Sequence, residues 1–154
     1  MKIIDFLDRK CIKIGIESAD KEGILKELVD VLANVKDLGE KKAIVKALLE
    51  RESLGSTGIG QGIAIPHGKT DRVKELCAVL GVSRKGVNFD ALDGEPVYIF
   101  FLLAAPKDTA GPHLKALAQI SRLLRDSYFC ELIKRCQTPG EVYELIKREE
   151  EKKH

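Results

Sequence analysis

The stretch Gly55-Ser-Thr-Gly-Ile-Gly-Gln-Gly-Ile-Ala-Ile-Pro-His67-Gly68 holds the residues best suited to chemistry. Five of its fourteen residues are glycine, too many for a stable helix, and glycine-rich backbone lets N–H groups approach an anion closely. His67 closes the stretch. Pro66 fixes the approach of the chain, and Gly68 leaves room for an incoming group. A neutral imidazole is a good nucleophile near neutral pH, its reference pKa being about 6.5. It can take a phosphoryl group on one ring nitrogen while the other donates to a nearby carbonyl. A turn histidine with no role is the plain alternative, and on His67 alone both readings stand.

Two further residues bear on the choice. His113 follows Gly111-Pro112 at the start of a predicted helix, where negative charge is favoured by roughly 0.3–1 kcal/mol. It can stabilise phosphoryl oxygens if the fold brings it to His67, or it is an ordinary first-turn residue. Arg51, just before the glycine-rich stretch, is either an anion partner or a surface charge. Two nucleotide motifs fail. A P-loop ending Gly68-Lys69-Thr70 needs glycine where Ile63 stands, and G-x-G-x-x-G meets Ile63 or Ile65 at its third glycine. A metal-dependent hydrolase built on His67 and His113 lacks a third ligand. The proposed residues include no carboxylate cluster to hold Mg²⁺, so neither metal nor cofactor is expected.

The elements that must position these residues are readable in outline. A helix capped by Asp20 buries Ile24, Leu25, Leu28, Val31, Leu32 and Val35. A second, from about Glu40, buries Ile44, Val45, Leu48 and Leu49. Gly62–Ile65 reads as a short strand ended by Pro66, with His67 in the turn after it. Residues 77–83 read as another strand. Residues 97–105 form an apolar run without alternation, as in a strand covered on both faces. A helix near Pro112-His113 is expected to bury Leu114, Leu117, Ala118, Ser121 and Leu124. Another follows Asp126-Ser127, and the last opens on the capping box Thr138-Pro-Gly-Glu141. Strands interleaved with helices imply a layered α/β fold.

Composition narrows the function classes. The chain of 154 residues is 44% apolar and 32% charged, enough for one domain with a sizeable core. With 26 basic against 24 acidic residues and 5% aromatics, nothing favours a nucleic-acid partner. The nine-residue run at 97–105 is too short to span a membrane. The four cysteines form no C-x-x-C pair, and with no signal peptide at the start they imply a reducing cytoplasm. Residues 1–147 read as the domain and 148–154 as a charged tail that frays, with His154 irrelevant to function.

Arg51-Glu-Ser-Leu-Gly-Ser-Thr-Gly-Ile-Gly-Gln-Gly-Ile-Ala-Ile-Pro-His67-Gly-Lys, Val87-Asn-Phe-Asp-Ala-Leu-Asp-Gly-Glu-Pro-Val97 and His113-Leu-Lys-Ala-Leu resemble one family. It is the enzyme IIA domains of the bacterial phosphoenolpyruvate-dependent sugar phosphotransferase system, in the mannitol/fructose/nitrogen-regulatory (type 2) class. The resemblance spans about residues 3–147. It implies a mixed central sheet flanked by helices on both faces. It implies that His67 takes a phosphoryl group from phosphorylated HPr or its nitrogen-branch counterpart and passes it to an enzyme IIB cysteine or a regulatory acceptor. It also implies that His113 sits beside His67, with Arg51 nearby. Without fused IIB or membrane segments, the chain reads as a stand-alone IIA protein or one cut from a longer chain. Ile59, Ile63 and Ile65 are candidates for an apolar rim around the histidine, one or two of them able instead to face the core.

Overall fold

The computed structural model describes residues 1–152. After a 3₁₀ turn at Ile3–Asp5 come β1 (Ile12–Ile14), α1 (Lys21–Ala33), α2 (Lys41–Ser53), β2 (Gly58–Gly60), β3 (Ile63–Ala64) and β4 (His67–Lys69). Then follow β5 (Cys77–Val87), β6 (Val97–Ala105), α3 (Ala110–Leu124), α4 (Ser127–Arg135) and α5 (Pro139–Lys152). Among the described residues no helix is long and apolar enough to cross a membrane. The charged run expected to fray is helical through Lys152, and His154 lies outside the described residues.

β6 is the spine of the sheet. It is apolar along its whole length and buried at every residue but Tyr98. β5 pairs with one edge of it, antiparallel, from Cys77↔Ala104 to Val87↔Val97, and β1 lies outside β5 in parallel. β5 runs four residues past the expected end at Ser83. Its extension carries the polar pair Arg84 and Lys85 across a register shift, so no apolar pattern announced it.

The other edge of β6 takes β3 and β4, both parallel to it, with partners from Ile63↔Ile99 to Lys69↔Ala105 in one unbroken register. The chain from Ile63 to Lys69 is therefore one strand interrupted at Pro66, which has no N–H to donate. Its carbonyl still accepts from Leu103 N–H at 2.9 Å. His67 does not lie in the expected turn: it opens β4. Proline removes a donor from the ladder without turning the chain.

Close approaches assign the faces. A Cβ added to Gly81 of β5 would lie 2.7 Å from a Leu28 methyl of α1, and one added to Gly68 of β4 would lie 3.4 Å from the Ala47 carbonyl oxygen of α2. α1 and α2 thus cover one face. Side chains alternate along a strand, so His67, next to Gly68, points to the opposite face. There α3 and α4 pack against β6, while α5 lies along β1 and the 3₁₀ turn. Three helix starts hold as read: Asp20 accepts from Gly23 N–H at 2.7 Å, Asp126 from the N–H groups of Tyr128 and Phe129, and Thr138 Oγ1 from Glu141 N–H.

α3 is rotated from the expected phase. It starts at Ala110, two residues early, and buries His113, Ala116, Ile120, Leu123 and Leu124. Leu114 is 65% exposed, and Ala118 is exposed too. Proline is tolerated in a first turn because its missing N–H would have had no helical partner. The expected stripe began at Leu114, whereas the helix turns the preceding residue, His113, into the core. Turning His113 inward brings the Ala116–Ile120–Leu123 stripe with it, and one exposed leucine costs little.

Candidate functional site

β2 and β3 form a hairpin whose two loop residues, Gln61 and Gly62, both have positive φ (57° and 81°), the pattern of a type I′ turn. Gly60, at φ 98°, takes up a register shift between Gly58↔Ala64 and Gly60↔Ile63. This bulge leaves Ile59 as the extra residue, directed outward. Gln61 bears the unfavourable left-handed conformation with help from Asp93, whose Oδ2 accepts its N–H at 3.0 Å. The loop before β6 braces the hairpin from outside. Leu92 N–H donates to Gly58 O, and Ser56 Oγ donates to Phe89 O, both at 3.0 Å. A Cβ at Gly58 would collide with Ala91 at 2.9 Å. The glycines thus serve close packing in a stiff platform.

That platform ends at His67. The His67 ring is partly buried, and its Nδ1 lies 2.8 Å from Ile65 O. A carbonyl can only accept, so in the neutral ring Nδ1 carries the proton and the free lone pair is on Nε2. Burial, above all, holds the His67 pKa below its ordinary value. The Ile65 hydrogen bond opposes this, the Arg51 charge adds to it, and Glu52 opposes it. The imidazole is therefore neutral and nucleophilic at neutral pH.

The three residues singled out in the sequence are brought together unequally. The His113 ring lies beside that of His67, with centroids 5.6 Å apart and planes tilted by 50°. His113 is buried, and its Nε2 has no hydrogen-bond partner among the described residues. Burial first, then the charges of His67 and Lys69, lowers its pKa. Arg51 is near enough for its charge to act on His67. Its guanidinium, however, donates to Gly55 O at 3.0 Å, at the C-terminal end of α2.

Two residues escaped the sequence reading. Lys69 shares a face with His67 two positions along β4; continuing the strand past Pro66 would have found it. Glu52 is a buried carboxylate that accepts from both the N–H and the hydroxyl of Thr57 and pairs with Lys21 at 3.1 Å. An acid next to Arg51 at a helix end carries no signal of such burial. Of the expected apolar rim, Ile63 and Ile65 face the core and only Ile59 is exposed. Exposed Leu54, Leu92 and Leu114 flank the same platform and α3.

The arrangement offers a neutral imidazole whose Nε2 is left free by the Nδ1 contact, a second buried imidazole beside it and nearby cationic side chains. Such a site can accept and release an anionic group on nitrogen. The family model for the phosphoenolpyruvate-dependent sugar phosphotransferase system, EIIA 2, matches residues 5–149. The chain is 38% identical over 146 residues to the fructose-specific EIIABC component of Bacillus subtilis, covering 95% of this chain and 23% of that protein. The nitrogen regulatory protein IIA-Ntr of Neisseria meningitidis superposes with a TM-score of 0.85 at 30% identity, over 94% of this chain and 98% of that one. The Escherichia coli enzyme IIA for mannitol, solved in complex with its phosphorylated enzyme IIB, superposes with a TM-score of 0.76 at 26% identity, over 90% and 95% of the two chains.

Proposed function

This chain belongs to the EIIA 2 family of the phosphoenolpyruvate-dependent sugar phosphotransferase system, and from that premise we propose a phosphocarrier that takes a phosphoryl group from phosphorylated HPr, or a nitrogen-branch counterpart, on Nε2 of His67. The acceptor is an enzyme IIB component, in fructose-type uptake. The observation that carries the reading is the 2.8 Å contact of His67 Nδ1 with Ile65 O, because it leaves Nε2 as the nucleophile.

The step needs no proton transfer. The Nε2 lone pair attacks phosphorus in line as the donor's N–P bond breaks, and the donor imidazole recovers that electron pair. Nδ1–H stays on Ile65 O throughout and disperses the positive charge that develops on the ring. His113, with Nε2 lacking a partner, meets the phosphoryl oxygens and supplies the donor. Lys69 and Arg51 contribute charge from further out. The reverse attack, by the thiolate of an enzyme IIB cysteine, forms an S–P bond and returns His67 to its starting state.

A relay must release one partner before meeting the next, so each interface is small, below about 1,200 Å². Ile59, on the hairpin that leads to His67, and Leu114, next to His113 on α3, are both exposed and suited to help exclude water during transfer. The mannitol enzyme IIA that forms a complex with phosphorylated IIB supports a IIB-type partner here. A cytoplasmic setting agrees with the free cysteines Cys11, Cys77, Cys130 and Cys136.

A second reading keeps the chemistry and changes the acceptor: a nitrogen-type protein whose phosphorylation state controls regulatory partners. The likeness to IIA-Ntr favours it, as the 38% identity to a fructose component favours transport. Incubation with phosphoenolpyruvate, enzyme I and HPr, or with the nitrogen-branch enzymes, tests both. Charging through HPr and discharge to a fructose-type IIB supports transport. Charging by the nitrogen branch alone supports control, and labelling that survives in His67→Ala removes His67 from either.

A further inference from the structure

We propose that Glu52 is the positioning residue that sets the His67 tautomer, by drawing the Thr57 N–H away from Ile65 O and leaving that carbonyl to His67 Nδ1–H. The proposal deepens the phosphocarrier reading of His67 and rests on it.

The argument begins with strand pairing. β2 and β3 are antiparallel with Gly58 opposite Ala64, so Thr57 stands opposite Ile65. A hydrogen-bonded antiparallel pair exchanges two bonds, each residue donating its N–H to the other's carbonyl. One of the two is present: Ile65 N–H donates to Thr57 O at 2.9 Å. The reciprocal donor is diverted. Thr57 N–H lies 3.2 and 3.1 Å from the two Glu52 carboxylate oxygens, and the Thr57 hydroxyl donates to the same group. Ile65 O then accepts from His67 Nδ1 at 2.8 Å.

A carboxylate is the group able to win this competition. Hydrogen bonds to an ionised acceptor are roughly twice as strong as those to a neutral carbonyl. The cost of burying Glu52 is offset by Lys21, whose Nζ lies 3.1 Å from Oε2 and also reaches Asp90 at 3.3 Å. The N-terminal residue of α1 thereby holds a carboxylate at the end of α2. That carboxylate holds Thr57, and the freed Ile65 carbonyl fixes which nitrogen of His67 is bare. Glu52 touches neither ring in this scheme; it acts through Thr57 and Ile65.

Long-range ¹H–¹⁵N correlation of the imidazoles, at a pH where His67 is neutral, reads the two tautomers directly. The wild-type protein is expected to hold His67 mainly as Nδ1–H. In Glu52→Gln, which keeps the shape and removes the charge, Thr57 N–H competes for Ile65 O. The ratio of Nδ1–H to Nε2–H should then fall about fivefold, and the rate of charging from phosphorylated HPr should fall with it. The double variant Lys21→Met/Glu52→Met replaces both ends of the ion pair and carries the same expectation if the single variant fails to fold. A ratio within twofold of wild type in a folded variant, or a wild-type ring lying mainly in the Nε2–H form, overturns the role of Glu52. Failure of the wild-type protein to accept phosphate would overturn the carrier reading instead, and the tautomer ratio decides the role of Glu52 either way.

Discussion

Replacing His113 by alanine separates a ring that acts on the transferring group from one that only fills space. His113 is 6% exposed, its ring centroid is 5.6 Å from that of His67, and its Nε2 is buried without a partner among the described residues. Truncating a large buried ring costs about 3–5 kcal/mol through lost contacts and the cavity left behind. The same substitution removes an unsatisfied polar atom whose burial costs about 1–3 kcal/mol. The balance is a loss of about 2 kcal/mol, within the roughly 5–15 kcal/mol that hold a domain folded. The variant should therefore fold and melt about 4–8 °C lower. Transfer should suffer far more, because losing one donor aimed at developing charge slows such steps by about 10²–10³-fold. Rapid-quench measurement of phosphoryl transfer from phosphorylated HPr, and onward to a IIB acceptor, reads this directly. His113→Gln keeps an N–H donor and should recover part of the rate. A folded alanine variant that transfers within about threefold of wild type would refute the role, since no lost donor explains so small a change.

Three other expectations follow from the same structure. Burial lowers the pKa of both His67 and His113, so the unfolded chain, with histidines near 6.5, binds protons at higher pH than the folded one. Stability should therefore fall as pH drops below about 6.5 toward the lowered folded values; melting temperatures equal at pH 7 and pH 5 would contradict this. Gln61 sits at φ 57°, so Gln61→Gly should gain about 0.5 kcal/mol and Gln61→Val lose about 1 kcal/mol in urea unfolding. Equal losses in both would show that the side chain matters and the dihedral does not. Leu114 is exposed on α3, so Leu114→Asp should change stability by less than about 0.5 kcal/mol yet weaken HPr binding about tenfold in an NMR titration. Unchanged affinity would remove Leu114 from the docking surface.

What the sequence made legible followed from local pattern. β6 was readable because nine apolar residues between two prolines leave no helical or solvated alternative. The caps at Asp20, Asp126 and Thr138 were readable because they are short-range chemistry. The phase of α3 was not, since Leu114 and Leu117 outvote a histidine in any count of apolar positions. Only the tertiary placement of His113 against His67 reverses that. β4 was missed because proline marks the end of a ladder in sequence, whereas here the register with β6 passes through it. Glu52 was hidden for a different reason. Its partners Lys21 and Thr57 lie at the start of α1 and just before β2, and the carbonyl in question, that of Ile65, follows β3. His67 stands out in the sequence because its neighbours, Pro66 and Gly68, sit beside it in the chain.

The central claim is that Nε2 of His67 carries the phosphoryl group, and long-range ¹H–¹⁵N correlation of the protein charged by phosphoenolpyruvate, enzyme I and HPr tests it most directly. The account predicts one acid-labile, base-stable phosphate, a large shift of the His67 Nε2 resonance, and a retained Nδ1–H bonded to Ile65 O. Phosphate on Nδ1, on His113, or on any residue that remains labelled in His67→Ala would contradict it.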